Sequence, residues 1–217
     1  MINDLPSMIP AIVAVVGLGF LPFIVVMGTS FTKIVVVLML LRTALGVQTA
    51  PSGLVINSIA LTLTAFILAP LGNELAGELR GLDLDISSWE EVEAIYNLIA
   101  GTFSQYLLKF AGKEEIEYFM SAAYKIWPED MHGYVKEENF LILLPAHIVT
   151  ELTKAFQIAF LIFLPFVVID MIVSNILLAL GAMMMPPTLV SLPIKILLFV
   201  AADGWNKLLN ALILSYV

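Results

Sequence analysis

His147-Ile-Val-Thr-Glu151-Leu-Thr-Lys154 opens the stretch Ala146–Trp205, whose reading decides the fold, and Gly181-Ala-Met-Met-Met-Pro-Pro187 lies inside it. Between the two runs an apolar segment interrupted by Pro165 and Asp170. After them comes a second apolar segment carrying Lys195 and Asp203. Two long apolar segments therefore meet at a short hairpin tip stopped by Gly181, Pro186 and Pro187. Both segments carry charges that hydrocarbon would not tolerate.

Composition sets the class. The chain has 217 residues, 60% hydrophobic and 13% charged, with mean hydropathy +1.00. A soluble domain is about 45–50% apolar and about 25% charged. The excess exceeds what one buried core absorbs, so the chain is a membrane-type protein or a subunit of an apolar assembly. There is no Cys, which excludes disulfides, thiolate metal sites and a Cys nucleophile. A net charge of −8 argues against nucleic acid as a partner.

Upstream, Ile9–Leu41 holds Gly17, Gly19, Pro22 and Gly28. As one straight helix it would be about 50 Å long, against a bilayer core of about 30 Å. It therefore breaks or kinks near Pro22–Gly28. Met1–Pro10 has no Lys or Arg, so the positive region of a secretory signal is missing, and the apolar run is expected to stay in the mature protein. Thr29-Ser30 is the expected N-cap of a helix from Phe31 to about Leu45, ended by Gly46. A turn at Pro51-Ser52-Gly53 leads to Leu54–Leu71, expected to close at Pro70 and Gly72. Its Asn57, Thr62 and Thr64 face other helices more readily than lipid.

The middle differs in kind. Asn73–Asn139 holds 14 acids and 5 bases, while the other 150 residues hold 4 acids and 5 bases. Ser88-Trp89-Glu90-Glu91 reads as an N-cap with first-turn acids. Two aromatic-aliphatic stripes follow, ending at Trp127-Pro128, and predict a small water-facing helical insert. Leu141–Leu180 and Thr188–Leu214 complete the chain. The expected architecture is all-α: an N-terminal apolar hairpin region (1–72), an acidic helical insert (73–139) and a C-terminal helical hairpin with a Met-rich tip (140–217).

Lys33, Glu151, Lys154, Asp170, Lys195, Asp203 and Lys207 sit in or beside the apolar segments. A charge at the bilayer centre costs about 2.5–3.5 kcal/mol on insertion scales. Glu151 and Lys154 are spaced i,i+3, and Asp203 and Lys207 i,i+4 with the acid first, both pairing distances on a helix. Asp170 and Lys195 have no near partner in sequence; they meet across the hairpin or pair with another subunit. Structural ion pairs, an ion relay and intersubunit pairing all remain open on spacing alone. His147 and Glu151 share a helix face but lack a third ligand, so no metal site is expected. No phosphate loop, nucleophile elbow or paired-carboxylate site stands out, and neither an enzyme nor a cofactor is expected.

Three consecutive methionines at a turn cannot all face one helix side. Met fills irregular space with a polarizable, flexible chain. Met183, Met184 and Met185 either pack a hairpin tip or contribute to a soft apolar ring, which gates by dewetting.

Here the sequence resembles the FliP/SctR family of type III secretion export-apparatus subunits. The matching stretches are Thr29-Ser-Phe-Thr-Lys-Ile-Val-Val-Val37, Leu40-Leu-Arg-Thr-Ala-Leu-Gly-Val-Gln48, Leu143-Leu-Pro-Ala146, Thr150-Glu-Leu-Thr-Lys-Ala-Phe-Gln-Ile158, Phe160-Leu-Ile-Phe-Leu-Pro-Phe166, Ile169-Asp170, Ser174-Asn-Ile-Leu-Leu-Ala179, Gly181–Pro187, Ser191-Leu-Pro193 and Asp203-Gly-Trp205. Thr43, Ala50-Pro51-Ser52 and Ala182 depart from the pattern. Ser174-Asn175 and the missing signal look more like the injectisome branch, SctR, than the flagellar one. The resemblance implies a lock-washer-like helical oligomer of about five copies, joined by Q/S-type and R/T-type export subunits. It also implies an inner-membrane location displaced toward the periplasm, which the acidic insert would face, and passage of unfolded secreted proteins. In that family the methionine run is a gasket that narrows the channel. A small-solute transporter or ion channel is the alternative on composition, although the first half has no counterpart to Gly181–Pro187.

Overall fold

The computed structural model describes residues 22–217 apart from 81–88 and Met183, together with residues 12, 15–17 and 19. Ser88, the expected N-cap of the insert, lies outside the described residues. The described residues are helical, with no strand among them. In chain order the helices are α1 (Phe31–Leu45), α2 (Gly53–Arg80), α3 (Trp89–Phe110), α4 (Lys113–Ile126), a 3-10 turn (Glu129–Tyr134), α5 (Phe140–Ala179), α6 (Pro187–Ala201) and α7 (Gly204–Leu214).

The chain forms two compact units, each built from two separate pieces. One takes the residues up to Thr32 with Thr64–Glu151; the other takes Lys33–Leu63 with Leu152–Val217.

In the first unit, Phe103 and Leu107 of α3 sit one turn apart. They pack with Ile116 and Ala123 of α4 and with Ile142, Leu143 and Ala146 of α5. These are the i,i+4 and i,i+7 repeats of an amphipathic helix. Close approaches fix the packing. A Cβ on Gly28 would lie 2.8 Å from the Phe103 ring, so only glycine fits there unless the ring moves. The Gly112 N–H, which α4 leaves without a helical acceptor, donates to Thr150 Oγ1 at 2.8 Å. Thr150 Oγ1 in turn donates to Ala146 O. Ser30 Oγ donates to Thr64 Oγ1 at 3.2 Å.

In the second unit, Ile34, Val37, Leu38, Leu41, Ala44 and Leu45 line the buried face of α1. Ala155, Ala159, Phe166 and Val173 of α5 are also buried, as are Leu208 and Leu212 of α7. α1 ends as its sequence predicts. Gly46 takes φ +79, and the N–H groups of Gly46 and Val47 return to Thr43 O and Arg42 O. This is the bond pair of a Schellman cap, which satisfies carbonyls the last turn leaves open.

Two boundaries differ from expectation. α2 does not close at Pro70 and Gly72 but runs through both to Arg80. Proline removes one backbone donor, and the residues after it, with Leu, Ala, Glu and Arg among them, favour helix strongly enough to carry on. The fourth apolar segment is two helices rather than one. Ala202 and Asp203 separate α6 from α7, whose axes differ by 62°. Asp203 adopts φ 53, a left-handed conformation that Asp tolerates better than most residues. A Cβ at Gly204 would collide with the Phe199 ring, which fixes glycine on the far side of the corner.

α2 and α5 are long and apolar enough to cross a membrane, and up to four spans result if each bent helix pair counts as one. Phe156, Phe160, Leu164, Val168 and Met171 make an exposed apolar stripe along α5 at helical spacing. Water does not solvate such a surface cheaply; it belongs against lipid or neighbouring protein.

Candidate functional site

The hairpin tip is built by two stops. α5 ends in a Schellman cap: Gly181 takes φ +73, its N–H donates to Leu178 O at 3.0 Å, and the Ala182 N–H donates to Leu177 O at 2.9 Å. α6 begins at Pro187, where a missing N–H costs nothing, with Pro186 extended before it at φ −65 and ψ 124. Between the stops the Met185 N–H donates to Ala182 O at 3.1 Å. Met184 is 99% exposed and Met185 49% exposed. Met183 lies outside the described residues. The tip thus holds thioethers out from a tightly capped turn instead of packing them.

Behind the tip lies a buried charge. Lys195, on α6, brings Nζ 2.6 Å from Asp170 Oδ2 on α5; the side chains are 6% and 39% exposed. The same ammonium donates to Ala44 O at 3.1 Å. Ala44 is in the last turn of α1, where carbonyls lack helical donors and the dipole favours a cation. Asp170 and Lys195 therefore meet across the hairpin, and a third helix end joins them.

The other charges are placed differently. Lys33 is 1% exposed, with Nζ 3.6 Å from the centroid of the Tyr216 ring. Glu151 is buried and Lys154 half-buried on α5, and both are engaged. The Asp203 carboxylate accepts from Asn206 Nδ2 at 2.9 Å, while Lys207 joins it through the backbone, its N–H donating to Asp203 O. In the first unit, His147 and Glu151 are buried one turn apart, and the Tyr106 ring centroid lies 6.2 Å from that of His147. Burial, reinforced by the Glu151 charge, pushes the Tyr106 phenol well above its usual range. Among the described residues no group of three His, Cys, Asp or Glu is arranged to hold a metal ion.

Sequence reasoning missed Tyr216, Ala44 and Asn206. Tyr216 had a signal: with Leu208 and Leu212 it continues one buried stripe at i,i+4 spacing. The Ala44 carbonyl had none, because every helix end offers the same atom.

The tip, its capping glycine and its flanking prolines form one of the stretches that carry the family resemblance, and a model of the FliP family matches residues 14–212. The chain belongs to the FliP family. Curated relatives of this FliP-family chain agree along its whole length. It is 40% identical to the Yop proteins translocation protein R of Yersinia pestis, over 98% of each chain. It is 44% identical to pathogenicity-related ORF2 of Xanthomonas campestris pv. glycines, over 94% of this chain and 95% of that one. With the hypersensitivity response secretion protein HrcR of Ralstonia nicotianae it shares 39% identity, again over 94% and 95%. By name the Yersinia relative is a translocation protein and the Ralstonia relative a secretion protein, and the chain is of the SctR type within the FliP family.

Proposed function

We propose that this chain is a channel-forming subunit of the type III secretion export gate. It passes unfolded secreted proteins across the bacterial inner membrane, in an assembly displaced toward the periplasm. About five copies assemble with the Q/S-type and R/T-type export subunits around a shared axis. Met183, Met184 and Met185 of each copy face that axis and close it when no passenger is present. The acidic insert faces the periplasm. The chain performs no bond chemistry.

The full exposure of Met184 on a turn fixed at both ends carries this reading. A rigidly presented thioether that finds no partner within its own chain needs one outside it. Met adapts to varied partners, which suits a seal that must close around passengers and on itself. The exposed apolar stripe of α5 and the sequence family support the same assembly. The Tyr216 ring over Lys33, and Asp170 with the Ala44 carbonyl around Lys195, shield both buried ammonium groups from lipid, so the apolar helices can serve as contacts between subunits. Deleting Met183–Met185 in the full chain, assembled with its partner subunits, tests the seal. Ion leak across the inner membrane is the expected result. A tight membrane with normal secretion overturns the gasket.

A further inference from the structure

The two buried lysines of the second unit hold opposite ends of one helix. Near the C-terminal end of α1, Lys195 from α6 donates to Ala44 O. Near its N-terminal end, Lys33 points its ammonium at the face of Tyr216, in the turn that follows α7. Lys33 and Ala44 are eleven residues apart, about 16 Å along a helix. α6 and α7 form one bent leg, so that leg is fastened to α1 at two points. α6 begins immediately after the methionine tip, and the fastening therefore bears on where the tip is held.

We propose that Tyr216 is a positioning residue that acts through Lys33. An ammonium that is 1% exposed has lost its water, and each group around it must return part of the solvation. The face of an aromatic ring does so through its quadrupole, and the attraction grows when both groups are desolvated. Tyr216 is itself only 7% exposed. The turn that carries it is set by local bonds: Ser215 Oγ donates to Leu212 O at 2.7 Å, and the Tyr216 N–H donates to Ile213 O at 3.1 Å. Leu208 and Leu212 dock the same face of α7, so the ring arrives over Lys33 as the next member of a buried stripe. An aliphatic side chain there would stay apolar but leave the charge without its ring.

The test compares Tyr216→Phe, Tyr216→Trp and Tyr216→Leu in the full chain, each alone and with Lys33→Met. Two quantities are read: survival of the detergent-solubilised chain under limited proteolysis, and secretion into the medium by cells carrying the variant. The first does not depend on the export reading. Phe and Trp keep the ring face, so the dependence of each on Lys33 should match that of the native chain. Leu should increase the cleavage rate about thirtyfold, the scale of a desolvated cation–π contact. In the Lys33→Met background the same Leu should cost markedly less, because no charge remains to be faced. A Leu chain that fails to accumulate supports the proposal only if Lys33→Met restores it. Leu behaving as Phe, or a Leu defect unchanged by Lys33→Met, overturns it. Loss of secretion with unchanged proteolysis in the Leu variant also overturns it.

Discussion

Lys195 and Asp170, 25 residues apart in sequence, close to 2.6 Å across the hairpin, and the lysine is far more deeply buried than the aspartate. The asymmetry decides what each partner contributes. Asp170 is 39% exposed, although its Oδ1 is buried and accepts no hydrogen bond. Lys195 depends on Asp170 and on the Ala44 carbonyl. The pair is one arm of a three-helix junction rather than a surface ion pair.

Removing the two partners should therefore have unequal effects. Asp170→Asn leaves a buried ammonium without its counter-charge and should cost about 3 kcal/mol, the scale of a broken buried pair. Lys195→Met leaves a carboxylate that is only partly buried and should cost less, about 1–2 kcal/mol. The double variant should be more stable than Asp170→Asn alone. Thermal unfolding of the detergent-solubilised chains checks the order; equal losses for the two single variants would contradict it.

The tip should respond to polarity before size. Met184→Leu keeps an apolar side chain and should preserve the proposed seal, whereas Met184→Asp should wet it, since a hydrophobic constriction closes by excluding water. The measurement is ion conductance of membranes carrying the assembled complex. A seal that fails equally with both would point to shape, not dewetting.

Two glycines should differ in the reason they resist substitution. Gly181 has open space around it but φ +73, so Gly181→Ala should cost only the left-handed backbone penalty, about 1–2 kcal/mol. Gly28 carries no such φ but abuts the Phe103 ring. Gly28→Ala should be destabilising in the native chain and milder with Phe103→Leu. For Gly181→Ala no neighbouring substitution should help. Unfolding temperatures of the single and paired variants separate the two cases.

Tyr106 should titrate late. Its phenol lies above the ordinary value of 10.0, because burial and the Glu151 charge both disfavour the phenolate. The folded chain therefore holds this proton more tightly than the unfolded chain. Its contribution to stability is complete below pH about 10 and is lost as pH rises toward the folded value. Tyr106→Phe should remove one late step from the ultraviolet phenolate titration and make stability fall less steeply in strong alkali. An unchanged titration would show that another tyrosine is the protected one.

Much of this was readable along the chain because local chemistry settled it. Thr29-Ser30 and Gly46 bracket α1 at the bounds the structure gives. The all-helical class followed from apolar segments without alternation. The rest depended on competition between neighbours. Pro70 reads as a stop, but one lost donor does not outweigh the helix-favouring residues on both sides. Asp203 reads as one more polar residue in an apolar run, yet its left-handed backbone divides α6 from α7. The charges in greasy segments were legible as a problem, and hairpin geometry made Asp170 and Lys195 one possible pair. Nothing in the spacing pointed to Tyr216 as the group facing Lys33, because an aromatic in a buried stripe is ordinarily packing.

At the α6–α7 corner, the Phe199 ring occupies the volume where any other residue at 204 would place its first side-chain carbon. Position 204 cannot enlarge while the ring stays, and a saturation library built on this chain should find larger residues at 204 only in clones that have already given up the phenyl group.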